Sequence, residues 1–148
     1  MQNSQRPPSQ PTQPRTTLDT FENAHSSRDY LIHIQIPEFT CLCPLTGQPD
    51  FAHLTIEYIP DKLCVELKAL KLYMWSFRDT GVFHEKMTND LLDTVVATIA
   101  PRFARLTGRW NVRGGLYTNV VVDFQAPGWT PKPVVNLTQF GLANPAAV

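Results

Sequence analysis

The chain has 148 residues, 43% hydrophobic and 18% charged, with 13 Lys+Arg balancing 13 Asp+Glu for a formal net charge of zero. This near-average composition excludes wholesale disorder, a collagen-like chain and a coiled-coil rod, and the length suits about one domain. Charge neutrality disfavours a protein whose main business is gripping a nucleic-acid backbone, and no run approaches the ~18 apolar residues of a membrane span.

Residues 1–28 alternate prolines (Pro7, Pro8, Pro11, Pro14) with glutamines (Gln2, Gln5, Gln10, Gln13) and hold few large apolar residues, so a flexible tail is expected there. Residues 29–148 then form one domain. Tyr30 to Ile36 and Phe51 to Ile59 alternate apolar and polar side chains and read as strands; Pro37 to Asp50 between them reads as a long irregular loop. From Leu67 to Phe77 the period changes: Leu70, Tyr73, Met74 and Phe77 make an apolar helical stripe, with Lys68, Lys71, Trp75 and Arg78 opposite. A second helix is expected from Glu85 to Ala100, where Met87, Leu91, Val95 and Ile99 recur every four residues before Pro101. Arg102 to Val112 and Leu116 to Phe124 read as strands joined by a tight Arg113-Gly114-Gly115 turn, and the prolines from Pro127 onward read as an extended arm. The order β-β-α-α-β-β, with short connections, implies an α+β fold with an antiparallel four-stranded sheet and two helices on one face. Its two open edges predict multimerisation with copies of itself.

Three cysteines, at 41, 43 and 64, are an odd count without an export leader, so reduced thiols and a cytoplasmic location are expected. Cys41 and Cys43 lie in the Pro/Gly-shaped loop, where either a partly exposed nucleophile or ordinary filler is possible; Cys64 sits among apolar residues and reads as filler. Asp50 is either a general acid or a turn residue, and Glu85, beside His84, either a proton-transfer group or a helix-dipole partner. The H-E-x-x-H metalloprotease signature is not completed, because Thr88 holds the fifth position, and paired C-x-x-C spacing is missing; no metal is expected. No Gly-rich phosphate loop is present either. Any nucleotide would be gripped by side chains such as Lys68, Lys71, Arg78 and Arg113, with the amides at Gly114 and Gly115. Residues 62–113 hold nine Lys+Arg and five Asp+Glu, a local positive excess suited to that grip.

The run Glu66 to Tyr73 (ELKALKLY), followed by Ser76-Phe77-Arg78 and Phe83-His84-Glu85, resembles the signature of the NADPH-dependent nitrile reductases of queuosine biosynthesis, the QueF family. Cys43-Pro44-Leu45-Thr46-Gly47-Gln48-Pro49-Asp50-Phe51 is similar to that family's nucleophile loop, and Arg113-Gly114-Gly115 to its cofactor-side turn. The resemblance implies the tunnelling fold, the β-β-α-α-β-β unit shared with GTP cyclohydrolase I, assembled into a multimeric barrel. It further implies reduction of 7-cyano-7-deazaguanine to 7-aminomethyl-7-deazaguanine with two NADPH, in tRNA modification. Cys43 would be the nucleophile forming a covalent thioimide and Asp50 the proton donor. Val65, Glu66, Leu67, His84 and Glu85 would bind the base, and Lys68, Lys71, Tyr73, Ser76, Arg78, Arg113, Gly114 and Gly115 the cofactor. The implied assembly is a decamer of two pentamers with sites between subunits and no direct nucleic-acid or membrane binding. Two other readings stay open: a zinc-dependent cyclohydrolase of the same fold, using Cys41 or Cys43 with His53 or His84, and a non-catalytic purine- or pterin-binding module.

Overall fold

A computed structural model of the chain describes residues 12–131. Its strands are β1 (Thr20–Glu22), β2 (Ile32–Leu42), β3 (Pro49–Ile59), β4 (Leu63–Val65), β5 (Phe103–Arg113) and β6 (Leu116–Gln125), and its helices α1 (Leu67–Trp75) and α2 (His84–Ile99). The four long strands form an antiparallel sheet in the order β2-β3-β5-β6, while β1 and β4 pair as a separate ribbon. The expected α+β architecture is thus observed, with β2 and β6 as its edges.

Strand alternation decides which residues meet the helices. On β3 the even positions Ala52, Leu54, Ile56 and Tyr58 are buried in the apolar core, next to Ala104, Leu106 and Trp110 on β5. The α2 positions Met87, Leu91, Val95 and Ile99 close that core at 0–2% exposure, each such side chain stabilising the packed state by roughly 1.5–3 kcal/mol. The helix stops because Ala100 adopts a left-handed backbone (φ 43°) immediately before Pro101.

Two register shifts then change the alternation. On β2 the pairing moves from Ile36↔Leu54 to Phe39↔Ala52, so one extra residue is accommodated near Pro37. Before this bulge the even residues Ile32, Ile34 and Ile36 face the helices; after it Phe39 and Cys41 do, both at most 2% exposed. On β5 a second shift, between Trp110↔Thr118 and Arg113↔Leu116, brings Arg113 to the Trp110 side in the same way.

Two expectations are corrected here. Pro37 to Asp50 is not one long loop: β2 runs to Leu42 and β3 begins at Pro49, because a proline on an edge strand is absorbed by a bulge without ending the strand. The described part of the expected tail is docked rather than flexible. Thr20–Glu22 pairs with Leu63–Val65, the Arg15 amide donates to Leu72 O at 3.1 Å, and Arg102 bonds Ser26 O, Asp29 and Asp61. Few apolar residues are needed when backbone pairing and one arginine hub hold the segment. Residues 1–11 of that expected tail lie outside the described residues, as does the expected arm beyond residue 131. The start of the arm folds back, with Trp129 Nε1 donating to Asp29 Oδ2 at 3.2 Å.

Candidate active site

The turn from β2 to β3 is a short loop closed on itself. The Cys43 amide donates to Gln48 O at 2.8 Å and the Gly47 amide to Cys43 O at 2.9 Å. The segment after α1 pins it from outside: the Leu42 amide donates to Thr80 O and the Val82 amide to Leu42 O. Cys43 is therefore held, half-buried, at the mouth of the sheet.

The two loop cysteines have opposite environments. Hydrogen bonds from the Thr46 side chain, the Thr46 and Leu45 amides and Arg113 favour the Cys43 thiolate and bring its pKa down to about 7. Burial pushes the Cys41 thiol up to about 12, with Asp50 nearby adding to the effect. Cys41 sits directly across from Asp50 in the β2–β3 ladder at 0% exposure and behaves as a small core residue. Cys64, also buried, lies 3.9 Å from the Tyr30 hydroxyl in the β4 ribbon.

Asp50 is 3% exposed and fixed from both sides. Arg113 Nη1 donates to its Oδ1, and His84 Nε2 lies 3.2 Å from its Oδ2. The same guanidinium reaches Gln48 Oε1 at 3.3 Å, and the negative charge that Cys43 and Asp50 can carry beside it holds its pKa above the ordinary arginine value. His84 opens α2 and stacks flat on Trp110. Arg113, Asp50 and His84 thus form one connected set, which Gln48 ties to the loop that carries Cys43. Sequence reasoning did not single out Thr46, Gln48 or Trp110 as contributors. Thr46 and Gln48 lie in the quoted loop, but nothing in the spacing ties Trp110 to His84.

The remaining expected residues fall elsewhere. Glu85 is exposed beside His84 in the first turn of α2. Val65, Glu66 and Leu67 lie at the start of α1, where the Val65 amide donates to the Tyr58 hydroxyl at 3.1 Å. Tyr58 stands eight residues along β3 from Asp50, a span of about 26 Å. Glu66 caps α1, accepting from the Lys68 and Ala69 amides at 2.9 and 2.6 Å. The chain therefore does not bring Glu66 to its own Cys43.

Of the cofactor set, Lys71 and Arg78 line a groove of about 460 Å³ between the β2 edge and α1, with Trp75 and Met74. Lys68 is exposed one turn earlier. Tyr73 departs from expectation: it is 7% exposed and its hydroxyl lies 3.1 Å from Thr94 Oγ1, so it packs between the helices. Ser76 donates to Tyr73 O at 2.6 Å and ends α1. Gly114 and Gly115, with φ of 55° and 81°, form the β5–β6 turn expected of paired glycines. Among the described residues no three His, Cys, Asp or Glu side chains cluster as a metal would require, and His53 occupies the sheet face opposite Cys41 and Asp50.

The sequence model of the family described as "QueF-like protein" matches residues 49–129. An NADPH-dependent 7-cyano-7-deazaguanine reductase of Nitrosomonas europaea is 61% identical over 129 residues, 87% of this chain and 93% of that protein. The enzyme of the same name from Thiobacillus denitrificans is 59% identical over 130 residues, 88% of this chain and 94% of that protein. A solved structure of an archaeosine synthase QueF-Like in its apo form superposes with a TM-score of 0.60 at 25% identity, over 68% of this chain and 96% of that one. With family match, relatives and fold in agreement, this chain belongs to the QueF family.

Proposed function

We propose that the protein reduces the nitrile of 7-cyano-7-deazaguanine to the aminomethyl group with NADPH, in queuosine biosynthesis, through a thioimide on Cys43. The observation that carries the residue assignment is the contrast between the two loop thiols: Cys43, half-buried and brought to about 7, and Cys41, enclosed and raised to about 12. A thiolate at neutral pH is the attacking species that a nitrile requires. The close curated relatives carry the name of this reaction.

In this reading the Cys43 sulfur bonds to the nitrile carbon while the nitrogen takes a proton from Asp50, giving an electrophilic C=N carbon. His84 and Arg113 hold the Asp50 carboxyl at its two oxygens and so fix the direction of that transfer. NADPH, when bound, supplies the hydride, two equivalents for the four-electron reduction. Lys71 and Arg78, exposed on a groove that also presents Trp75, fit the phosphates and a ring of a dinucleotide, with Lys68 and the Gly114–Gly115 turn as further contacts. Tyr73, bonded to Thr94, supports the helix carrying these cations, and half-buried Ser76 ends that helix beside them.

Base recognition by Val65, Glu66, Leu67, His84 and Glu85 requires a second copy of the chain. His84 and Glu85 belong to the Asp50 end of β3 and the other three to the Tyr58 end. Pairing of the open β2 and β6 edges between copies would bring a neighbour's Glu66 toward Cys43, as in a decamer of two pentamers. A carboxylate suits the adjacent N–H donors of a guanine-like edge. Three free cysteines suit the reducing cytoplasm, and no described helix is long and apolar enough to cross a membrane.

NADPH oxidation followed by absorbance tests the reading: the nitrile should drive consumption of two NADPH per aminomethyl product. Ring opening of GTP by zinc-loaded protein, with no NADPH consumed, would support the cyclohydrolase instead.

A further inference from the structure

We propose that residues 15–23 are a positioning element for base recognition, holding the backbone of Glu66, and with it the direction of that carboxylate, from outside the four-stranded sheet. The proposal rests on the role given above to Glu66. The Glu66 amide donates to Asp19 O at 2.9 Å, and the Arg15 amide donates to Leu72 O at 3.1 Å further along α1. Between these ties the Arg15 guanidinium grips both carboxylate oxygens of Asp19, at 2.7 and 2.9 Å. Leu18 packs against the apolar core beneath.

The strand that leads into Glu66 takes its pairing from this segment. Among the described residues β4 belongs to a two-stranded sheet with β1, in the register Thr20↔Val65, Phe21↔Cys64 and Glu22↔Leu63. The Asn23 amide donates to Lys62 O at 2.8 Å at one end, and the Glu66 amide to Asp19 O at the other. Antiparallel ladders alternate bonded and non-bonded pairs, so Phe21↔Cys64 is the bonded pair midway between these two. Val65 is turned the other way, its amide on the Tyr58 hydroxyl. Cys64 and Val65 bury their side chains, while the alignment of their backbone is set from the N-terminal side.

The consequence lies at the carboxylate. Glu66 accepts from the Lys68 and Ala69 amides, so its plane follows the first turn of α1, while each oxygen keeps a lone pair for an N–H of the base. A shift of that turn moves the carboxylate against the base edge, and hydrogen bonds weaken steeply as their angle closes. Phe21 is 54% exposed, so the segment acts through its backbone ladder and not through a buried ring.

The test uses the full-length protein with Phe21→Pro, Phe21→Thr and Glu66→Gln. Proline at 21 removes the amide that bonds Cys64 O, whereas threonine keeps the ladder and loses the ring alone. Phe21→Pro should raise the KM for 7-cyano-7-deazaguanine about fivefold, the worth of one ordinary hydrogen bond. Its kcat and the alkylation of Cys43 by iodoacetamide should not change, and Phe21→Thr should keep the parent KM. A normal KM in Phe21→Pro beside a raised one in Glu66→Gln overturns the proposal and leaves the base role of Glu66 standing. A normal KM in both defeats that role and the proposal with it. An equal rise in Phe21→Pro and Phe21→Thr would make the ring itself a base contact and overturn the backbone mechanism. Should Phe21→Pro fail to fold, hydrogen exchange decides. The base bound to Cys43→Ala protein should slow exchange in peptides across residues 15–23, because a segment that favours base binding is itself favoured by it; exchange that the bound base leaves unchanged overturns the proposal.

Discussion

The His84 imidazole lies flat on the Trp110 indole, with ring centroids 3.8 Å apart and planes 3° from parallel. Its Nε2 is thereby aimed at Asp50 Oδ2. Trp110 is 2% exposed, so Trp110→Ala should destabilise the fold by about 3–5 kcal/mol. Trp110→Phe keeps a platform and should fold, with its main loss in kcat. Gly108 lies beneath: a Cβ there would sit 3.0 Å from Trp110 Nε1 and 2.9 Å from Thr88 Oγ1. Gly108→Ala should therefore lower both stability and kcat, as thermal melts and steady-state rates would register; a variant normal in both would refute the platform.

Glu66 and Glu85 have different local duties, and one substitution at each separates them. Glu66 caps α1 through two amides, so Glu66→Ala should lower stability by about 0.5–2 kcal/mol. Glu85 is exposed in the described chain, and Glu85→Gln should leave the melting temperature unchanged while weakening base binding by roughly 1.5–3 kcal/mol. Unchanged substrate affinity in Glu85→Gln would remove it from the pocket.

A site shared between copies predicts rescue by mixing. Cys43→Ala and Glu66→Ala chains, each inactive alone, should regain turnover when unfolded together and refolded. A sedimenting monomer at micromolar concentration, or mixtures with no recovered activity, would contradict the shared site.

Glu57 gives a pH signature on the sheet face away from the helices. Burial holds its pKa above the usual glutamate range, partly offset by Arg105, and its Oε1 has no partner. A raised folded-state value means full stability below the unfolded glutamate value, ~4.3, with stability lost as pH rises through the folded value. Glu57→Gln removes that loss, so its gain in Tm over the parent protein should be larger at pH 8 than at pH 4. Equal gains at both would show that Glu57 titrates normally.

Much of this was legible in the sequence because period and punctuation are local. The α1 stripe Leu70, Tyr73 and Met74 and the four-residue spacing from Met87 to Ile99 fixed both helices within a residue or two, and Gly114-Gly115 marked the last hairpin. The two bulges were not legible. Each depends on cross-strand register, and they determine which sheet face Cys41 and Arg113 take. Hence the bond from Arg113 to Asp50 left no sign in the sequence, where Arg113 read as a cofactor contact. Tyr73 carried two sequence readings, core stripe and cofactor contact, and its bond to Thr94 on the other helix favours the first. The docking of Thr20–Glu22 escaped for a similar reason, since backbone pairing leaves little mark on composition.

The account turns on which sulfur adds to the nitrile. Intact-protein mass after mixing with 7-cyano-7-deazaguanine, without NADPH, should rise by the full mass of the nitrile, with the adduct mapped to Cys43. Cys41→Ala should still form it, and Cys43→Ala should not. An adduct that survives in Cys43→Ala and vanishes in Cys41→Ala would contradict the central claim.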